Sequence, residues 1–345
     1  MLEIDGSYLE GGGQILRTSL ALSVITNTPI KVYNIRKNRP EPGLKSQHLY
    51  VIKAYKELFS AECKGDFIGS QSIEFYPSKE LKNKRLKLDI GTAGSIGLLL
   101  QSLLLALVFA VREEIEIEVT GGTFGKWAIP VDYYPQVVFK LLGLNLELKI
   151  LKRGYYPKGG GKIFLRFFPQ RNLKRIEYFE FSPIRKVIAK SIASLDLRER
   201  KVAERQLVPV REVLLKKISV KYEEKVEYVQ TLSPGSELHL LGLTEKDNLL
   251  WADSVGERKK TAEEVAKEAI NKFLFEIENK ACIDLHFADN VVPYLALLGG
   301  KVKTSEITNH TKTNIWVCEK FFGKMFKVDY EKKIIEVEDG KISQL

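Results

Sequence analysis

The run GGGQILRTSLALSVIT at residues 11–26 is the most informative part of the sequence for the fold, because it predicts a glycine-rich turn followed by an apolar helix over residues 14–26. A second helix is predicted after it, over residues 47–59. The same order of turn, apolar helix and second helix recurs twice, at residues 91–94, 95–110 and 132–142, and at residues 288–290, 291–298 and 311–322. Three occurrences of one order predict three copies of one structural unit, a sheet with two helices.

Short runs typical of strands lie between these helices, at residues 30–35, 72–76, 85–90, 114–120, 146–151 and 162–167. Strands alternating with helix pairs predict α/β or α+β layers. The pattern changes over residues 183–275, which interrupt the third copy. Charged helices are predicted there over residues 197–205 and 210–218, a strand over residues 226–232 and a helix over residues 261–275. We interpret this stretch as a small inserted α/β domain, because insertions at surface loops are tolerated.

The composition excludes several classes of protein. Hydrophobic residues make up 44% and charged residues 28% of the 345, which excludes wholesale disorder. The most apolar stretch, residues 94–110, is too short and contains too many polar side chains for a membrane span. The N-terminal sequence MLEIDGSYLEGGG lacks the basic and apolar regions of a secretory signal. Three widely spaced cysteines argue against a disulfide framework or a structural zinc site. We therefore expect a soluble, cytoplasmic protein with no membrane partner.

The formal net charge is +10, because 54 Lys and Arg residues outnumber 44 Asp and Glu residues. A basic balance is compatible with a polyanionic partner such as nucleic acid. A surface rich in Lys and Glu is also typical of thermophilic proteins. Charge alone does not separate these two interpretations, and both can hold together.

The N-terminal region combines glycines with arginines. The three glycines at residues 11–13 lead into a helix whose free N–H groups can point at an anion, and Arg17 lies one turn after Gln14 on the same face. Arg36 and Arg39 belong to a proline-stiffened basic loop, and guanidinium forks suit phosphate oxygens. A tight turn and a solvated basic loop are the alternative interpretations of these two segments.

Two later loops carry similar signals. Residues 89–95 join a strand to a helix, so their amide groups could hold a phosphate. Residues 154–162 mix tyrosines, lysines and glycines, a combination that suits stacking of RNA bases beside phosphate contacts. Each loop taken alone is also consistent with an ordinary turn.

His310 is the candidate nucleophile among only four histidines. It lies in the sequence TNHTKTNI at the predicted start of the last helix. A helix N-terminus disfavours the imidazolium, and a neutral imidazole can attack an activated phosphate. A polar helix start is the alternative role for this residue.

Taken together, these segments resemble the RNA 3′-terminal phosphate cyclase family. The residues that carry the resemblance are, in chain order, Asp5-Gly6-Ser7, Glu10-Gly11-Gly12-Gly13-Gln14, Arg17, Arg36, Arg39, Pro42-Gly43-Leu44, Gln47-His48, Gly91-Thr92-Ala93-Gly94-Ser95, Gln101, Gly121-Gly122-Thr123, Pro130-Val131-Asp132, Tyr156-Pro157-Lys158-Gly159-Gly160-Gly161, Phe287-Ala288-Asp289 and His310. The match spans nearly the whole chain outside the interrupting segment. The sequence departs from many members at His286 and Asn290, where Tyr or Gln is frequent.

The resemblance implies an α+β fold with a large domain, residues 1–182 and 276–345, and a small inserted α/β domain, residues 183–275. The large domain would contain three repeated units, each a four-stranded sheet carrying two helices. The resemblance also implies an enzyme that uses ATP to convert an RNA 3′-phosphate to a 2′,3′-cyclic phosphate. A covalent histidine–AMP and an RNA-adenylate would be the intermediates, and AMP and pyrophosphate the by-products.

The resemblance carries site residues with it. His310 would be the catalytic nucleophile. The ATP-binding residues would be Glu10, Gln101, Pro130, His286, Phe287, Ala288, Asp289 and Asn290. The candidates for RNA or phosphate binding are Arg17, Arg36, Arg39, Gln47 and Lys158. Glu10 is also the candidate ligand of Mg²⁺ or Mn²⁺, which hard oxygen ligands do not distinguish. The oligomeric state is not predicted.

Two other functions remain open at this point. A non-catalytic RNA or ribosome-assembly factor on the same fold would bind RNA without using ATP, and the positive charge is consistent with it. A small-molecule transferase built from similar repeats, such as an enolpyruvyl transferase, would act on an anionic metabolite. The candidate histidine nucleophile and the adenylate-pocket residues favour the cyclase over both.

Overall fold

The computed structural model describes residues 1–126, 128–218 and 220–344. The α-helices are α1 (Gly13–Thr26), α2 (Ser46–Leu58), α3 (Ile96–Ala110), α4 (Phe139–Leu141), α5 (Val202–Lys217), α6 (Ala262–Glu278), α7 (Leu285–Leu298) and α8 (Asn309–Phe322). A π-helical turn, Tyr134–Val138, precedes α4, and 3-10 turns lie at Leu195–Leu197 and Lys341–Gln344. Among the described helices, none has both the length and the apolar character that crossing a bilayer requires.

The strands are β1 (Leu2–Asp5), β2 (Ile30–Tyr33), β3 (Glu62–Lys64), β4 (Ile73–Tyr76), β5 (Arg85–Asp89), β6 (Ile115–Gly121), β7 (Leu146–Lys152), β8 (Gly161–Phe167), β9 (Ile176–Tyr178), β10 (Ile184–Ser194), β11 (Lys221–Val229), β12 (Ser236–Thr244), β13 (Leu249–Val255), β14 (Gly300–Lys303), β15 (Lys327–Asp329) and β16 (Ile334–Val337). They form four mixed four-stranded sheets. Mixed sheets with helices packed against them confirm the predicted α+β class.

Three of the sheets have the same strand order, β1-β2-β4-β3, β5-β6-β8-β7 and β9-β14-β16-β15. In each, the first two strands are parallel and the other neighbours are antiparallel. An apolar helix, α1, α3 or α7, leads into the second strand of each sheet, and α2, α4 or α8 follows that strand. The three sheets therefore have one topology.

The apolar helices form the centre of the molecule. Helix α1 packs against α3 and α8, and α7 packs against α8. Every residue of α1 from Gln14 to Ile25 is buried. A helix that is buried on all sides places its polar residues in the interior, and this position brings Gln14 and Arg17 among the other elements.

The fourth sheet has the order β11-β10-β12-β13 and lies between β9 and α7 in the chain. Helices α5 and α6 pack on it around a separate apolar cluster that includes Leu240 and Phe273. Leu241, Leu249 and Trp251 belong instead to the apolar cluster of the other three sheets. Side chains of this sheet therefore contribute to both cores.

The predicted start of α7 is wrong. Residues 288–290 were expected to form a turn before a helix over residues 291–298, but the helix begins at Leu285. Its N-cap is Asp284, whose side chain accepts a hydrogen bond from the Phe287 N–H at 2.9 Å. Asp289 therefore lies inside the helix.

The prediction for residues 183–275 is partly wrong in detail. The two charged helices form one helix, α5, with Pro209 inside it. The strand predicted at 226–232 begins earlier, as β11. Strands β12 and β13 were not predicted, because both are almost entirely buried and lack the apolar–polar alternation of a half-exposed strand. The helix expected over residues 132–142 is divided between the π-helical turn and α4.

Candidate active site

The N-terminus of α1 presents free backbone N–H groups. Its N-cap, Gly12, has an extended backbone and forms no side-chain hydrogen bond to the helix. Gly13 lies so close to His48 that an added Cβ would be 2.2 Å from the imidazole Nε2. A side chain at this position would collide with His48, so glycine keeps the amide groups of the first turn accessible to an anion.

Arg17 lies one turn into α1 and is buried. Only 8% of the residue is exposed, and its Nε donates a hydrogen bond to Gln101 Oε1 at 3.1 Å. Burial lowers the Arg17 pKa from 12.5 to about 10, and no carboxylate of the described residues pairs with the guanidinium. A buried charge without a counter-charge is costly, so this position is suited to an anionic ligand.

His48, the third residue of α2, packs against the same end of α1. Burial, together with the charges of Arg17 and Arg36, lowers the His48 pKa from 6.5 to about 3. Its Nδ1 accepts a hydrogen bond from the Lys45 N–H at 3.0 Å, so the neutral ring carries its proton on Nε2. That Nε2 is buried and has no hydrogen-bond partner in the described part of the chain. A buried donor without a described partner therefore lies beside Arg17.

His310 is the second residue of α8, as predicted for a residue at the start of the last helix. Its side chain is 47% exposed, and its Nε2 lies 3.5 Å from Glu10 Oε2. Gln14 Nε2 donates a hydrogen bond to the His310 carbonyl oxygen at 3.0 Å. Glu10 Oε2 is also 3.5 Å from Arg39 Nη2. The imidazole is therefore accessible and lies beside the glycine-rich turn and its arginines.

Asp289 in α7 holds the N-terminus of α8. Its Oδ1 accepts hydrogen bonds from the hydroxyl groups of Thr308 and Thr311 at 2.6 and 2.7 Å. Its backbone oxygen accepts a hydrogen bond from Asn314 Nδ2 at 2.5 Å. Burial raises the Asp289 pKa, while both hydroxyl groups oppose that shift. These contacts fix the backbone that carries His310.

A chain of side-chain amides links α1, α3 and α7. Gln101, which bonds Arg17, donates a hydrogen bond from Nε2 to Asn290 Oδ1 at 2.7 Å. Asn290 Nδ2 donates to the His286 carbonyl oxygen at 2.6 Å. Because each amide both accepts and donates, the chain connects the position of the Arg17 guanidinium to the first turn of α7.

His286 lies in this first turn of α7, and 37% of its side chain is exposed. Its ring contacts Tyr133 edge-on, with 5.9 Å between centroids and 77° between planes. Pro130 is buried, and its carbonyl oxygen accepts a hydrogen bond from the Tyr133 N–H at 3.1 Å. Phe287 and Ala288 are fully buried in the core, so their side chains face away from solvent.

The predicted residues still to be described are Arg36, Gln47 and Lys158. Arg36 Nη1 donates hydrogen bonds to the carbonyl oxygens of Glu41 and Gly43 at 2.7 and 2.9 Å, so the guanidinium stabilises its own loop. Gln47 is half-buried in α2, directly before His48. Lys158 is exposed, and its N–H donates to Ser233 Oγ at 3.1 Å. No described hydrogen bond or ion pair joins Lys158 to His310.

A second buried cluster surrounds Arg153. Its guanidinium bonds both Asp132 oxygens at 2.7 and 2.8 Å and Glu237 Oε1 at 2.7 Å. Glu237 Oε2 lies 3.0 Å from His239 Nε2. Asp132, Glu237 and His239 have the composition of a metal site, but Arg153 already supplies the positive charge there. We therefore interpret the cluster as a buried ion-pair network.

Sequence reasoning missed several residues of this region. Thr308 and Thr311 have the Ser/Thr spacing of a helix N-cap, so their role at α8 had a visible signal. The Thr18 hydroxyl donates a hydrogen bond to Asn314 Oδ1 at 2.9 Å. No sequence signal indicated this contact, because the two residues are 296 positions apart. The buried, unpartnered state of His48 was also invisible in the sequence.

The site is thus a glycine-rich helix terminus with a buried arginine, a neutral histidine donor and an accessible histidine next to a carboxylate. A helix terminus of this kind is suited to a phosphate group, and an accessible imidazole beside it is chemically capable of acting as a nucleophile.

Comparison with known proteins agrees with this interpretation. The family model described as RNA 3'-terminal phosphate cyclase matches residues 8–328. A protein of Pyrococcus furiosus named RNA 3'-terminal phosphate cyclase is 46% identical over 331 residues, which cover 95% of each chain. Proteins with the same name from Pyrococcus abyssi and Methanopyrus kandleri are 45% and 40% identical, over 96% and 93% of each chain. The chain therefore belongs to the RNA 3′-terminal phosphate cyclase family.

Proposed function

We propose that the protein uses ATP to convert an RNA 3′-phosphate to a 2′,3′-cyclic phosphate, with His310 as the nucleophile. One observation carries this proposal. Among the described residues, no carboxylate pairs with the buried Arg17 at the uncapped end of α1, and the adjacent His48 Nε2–H has no hydrogen-bond partner. A phosphate bound there would compensate the guanidinium and satisfy that donor.

In the first step, an imidazole nitrogen of His310 attacks the α-phosphorus of ATP. An N–P bond forms, the bond from that phosphorus to the bridging oxygen breaks, and pyrophosphate leaves. In the second step, an oxygen of the RNA 3′-phosphate attacks the phosphorus of the histidine–AMP, and the imidazole leaves. In the third, the adjacent ribose 2′-oxygen attacks the RNA phosphorus and expels AMP, while its proton passes to solvent or to a base. The tethered 2′-hydroxyl gives this last step a high effective concentration.

The residues around His310 fit these steps. The Gln14 bond to the His310 backbone and the Asp289 bonds to Thr308 and Thr311 fix the backbone that carries the imidazole. We propose that Gln101, Pro130, the segment 286–290 and Glu10 bind the nucleotide. For Asp289 the oxygen available to the nucleotide would be Oδ2, because Oδ1 already accepts two hydroxyl groups.

Glu10 also fits a divalent cation. Its carboxylate is a hard oxygen ligand that is 39% exposed, and phosphate and water oxygens would complete the coordination of Mg²⁺ or Mn²⁺. Such an ion would offset the charge of the ATP phosphates.

We propose that Arg17, Arg39 and Gln47 bind the phosphates and that Lys158 binds RNA further from the reacting end. Tyr156 is 81% exposed next to Lys158, which suits stacking on a base. Arg36 would act on phosphate indirectly, since its guanidinium is bonded to its own loop.

We also propose that the three sheets of identical topology are three repeats of one unit. Residues 1–182 and 276–345 would then form the large domain and residues 183–275 an inserted domain. The shared strand order and the separate apolar cluster of the fourth sheet support this division.

The test uses ATP labelled at the α-phosphate together with Mg²⁺. The wild-type protein should form an acid-labile, base-stable protein–AMP adduct, and an RNA oligonucleotide with a 3′-phosphate should discharge it to give the cyclic end. His310→Ala should form no adduct. Asn309→Ala is the matched control, because this exposed neighbour lies in the same helical turn. An adduct that persists in His310→Ala contradicts the assignment of the nucleophile. RNA binding without any adduct would favour the non-catalytic alternative.

A further inference from the structure

Strand β13, in the segment between β9 and α7, reaches the residues proposed to bind the nucleotide. Asp253 of this strand is buried, with 5% of its side chain exposed, and its Oδ2 lies 3.6 Å from His286 Nε2. The same oxygen accepts a hydrogen bond from the Trp251 indole Nε1 at 2.8 Å. Trp251 in turn contacts Tyr133 edge-on, with 5.6 Å between ring centroids. Asp253 is thus placed behind the His286 ring.

The backbone on both sides of this contact is anchored. Asp284 caps α7, and its Oδ1 accepts a hydrogen bond from Tyr133 OH at 2.8 Å. Its Oδ2 accepts one from the Trp251 N–H at 3.2 Å. The strand that carries Asp253 and the helix that carries His286 are therefore bonded to the same carboxylate. Their separation is fixed independently of the contact between Asp253 and His286.

A carboxylate next to one nitrogen of a histidine favours a proton on that nitrogen and limits rotation of the ring. With Nε2 directed at Asp253, Nδ1 and the exposed ring face remain for a ligand. A ring already held in place loses less conformational entropy when a planar group stacks on it.

We propose that Asp253 is a positioning residue that orients His286 for the base of the nucleotide. This inference rests on the proposed function, because it takes the His286 region as the nucleotide pocket. The fourth sheet would then supply part of the nucleotide site in addition to its own core.

The competing explanation is that Asp253 only satisfies the Trp251 indole. Asp253→Asn separates the two roles. The Asn side-chain oxygen can still accept from the indole, whereas the amide carries no charge to pair with His286. Asp247→Asn is the matched control, since that Asp is 80% exposed on the same segment and pairs with Arg185.

The experiment measures equilibrium binding of an ATP analogue with a methylene bridge between the α- and β-phosphorus atoms, which cannot be cleaved there. Asp253→Asn should weaken binding by about two- to fivefold, the range of a single partly exposed ion pair. Asp247→Asn should leave it unchanged. At saturating ATP, the adenylylation rate of Asp253→Asn should stay within about twofold of the wild type, because the reacting groups are untouched.

A double-mutant experiment in the His286→Gln protein tests whether Asp253 acts through His286. In His286→Gln, adding Asp253→Asn should produce no further loss, because the residue to be oriented is absent. An equal loss in both backgrounds would show a structural role and overturn the inference. An unchanged affinity of Asp253→Asn would overturn it alone, whereas a wild-type protein that binds no nucleotide would overturn the proposed function as well.

Discussion

Arg17 and Arg153 are both buried, with exposed fractions of 8% and 5% respectively, yet their electrostatic surroundings are opposite. Arg153 bonds the carboxylates of Asp132 and Glu237, and these charges raise its pKa despite burial. Within the described part of the chain, Arg17 donates to the neutral amide of Gln101 and pairs with no carboxylate, and burial lowers its pKa to about 10. The difference indicates which arginine is structural. A compensated guanidinium serves the fold, whereas an uncompensated one is available to an anionic ligand.

The largest expected effect concerns the compensated arginine. Arg153→Met should lower the free energy of unfolding by about 3–5 kcal/mol, because it removes the guanidinium that pairs with two buried carboxylates. Denaturant titration of the variant and the wild type at pH 7 measures this difference. The exposed Arg185→Met is the control, since its pair with Asp247 lies at the surface. A stability loss no larger than that of the control would show that the Arg153 network is not needed for folding.

In contrast to Arg153→Met, Arg17→Met should impair activity rather than stability. Adduct formation or RNA cyclisation should fall by about 100-fold or more, the size of the loss when one charge-stabilising donor is removed. The midpoint of thermal unfolding should stay the same or rise, because an uncompensated buried charge is removed. Both quantities are measured on one preparation. Strong destabilisation with retained activity would show that Arg17 has a structural role and does not bind an anionic ligand.

His48 gives a smaller effect that depends on pH. The folded protein keeps His48 neutral down to about pH 3, whereas the unfolded chain takes up this proton below pH 6.5. The unfolded state therefore binds more protons in this window, and the His48 contribution to stability is lost as the pH falls from 6.5 towards 3. Between pH 7 and pH 5 the loss amounts to about 2 kcal/mol.

His48→Asn should remove most of this loss, because the Asn oxygen can accept the Lys45 N–H and does not titrate. The measured quantity is the change in unfolding free energy between pH 7 and pH 5 in the two proteins. Their difference isolates His48 from Glu276, whose raised pKa of about 8 acts with the opposite sign in this range. Equal pH dependence of the two proteins would contradict the neutral, buried state of His48.

Local sequence patterns predicted much of the fold. The glycines before α1 and the apolar pattern after them place that helix to within a residue, and α8 begins at Asn309, two residues before the predicted start at residue 311. The start of α7 was missed because Asp284 caps the helix three residues before Phe287, while the prediction took the polar residues 288–290 for a turn. Polar residues inside a helix and polar residues in a turn look alike until the cap is known.

Some site residues can be predicted from a local motif, whereas their contacts with distant parts of the chain cannot. Arg17, Gln14 and Glu10 are near one another in sequence, and the motif predicted them as a group. Their distant contacts could not be predicted in this way. The Gln14–His310 bond spans 296 residues and the Arg153–Glu237 bond 84, and both depend on how separate elements pack. Whether an arginine is compensated is therefore a property of the fold.

The pairing of β9 with β14 constrains the order in which a nascent chain can assemble. Gly300 faces Ile176 in this parallel pair, where an added Cβ would lie 2.1 Å from the Ile176 carbonyl oxygen. This pair therefore cannot form until residue 300 has left the ribosome, and the third sheet is complete only after β16, which ends at Val337. The fourth sheet and its helices precede that point and can form first, bringing the two strands together and shortening the search that closure requires.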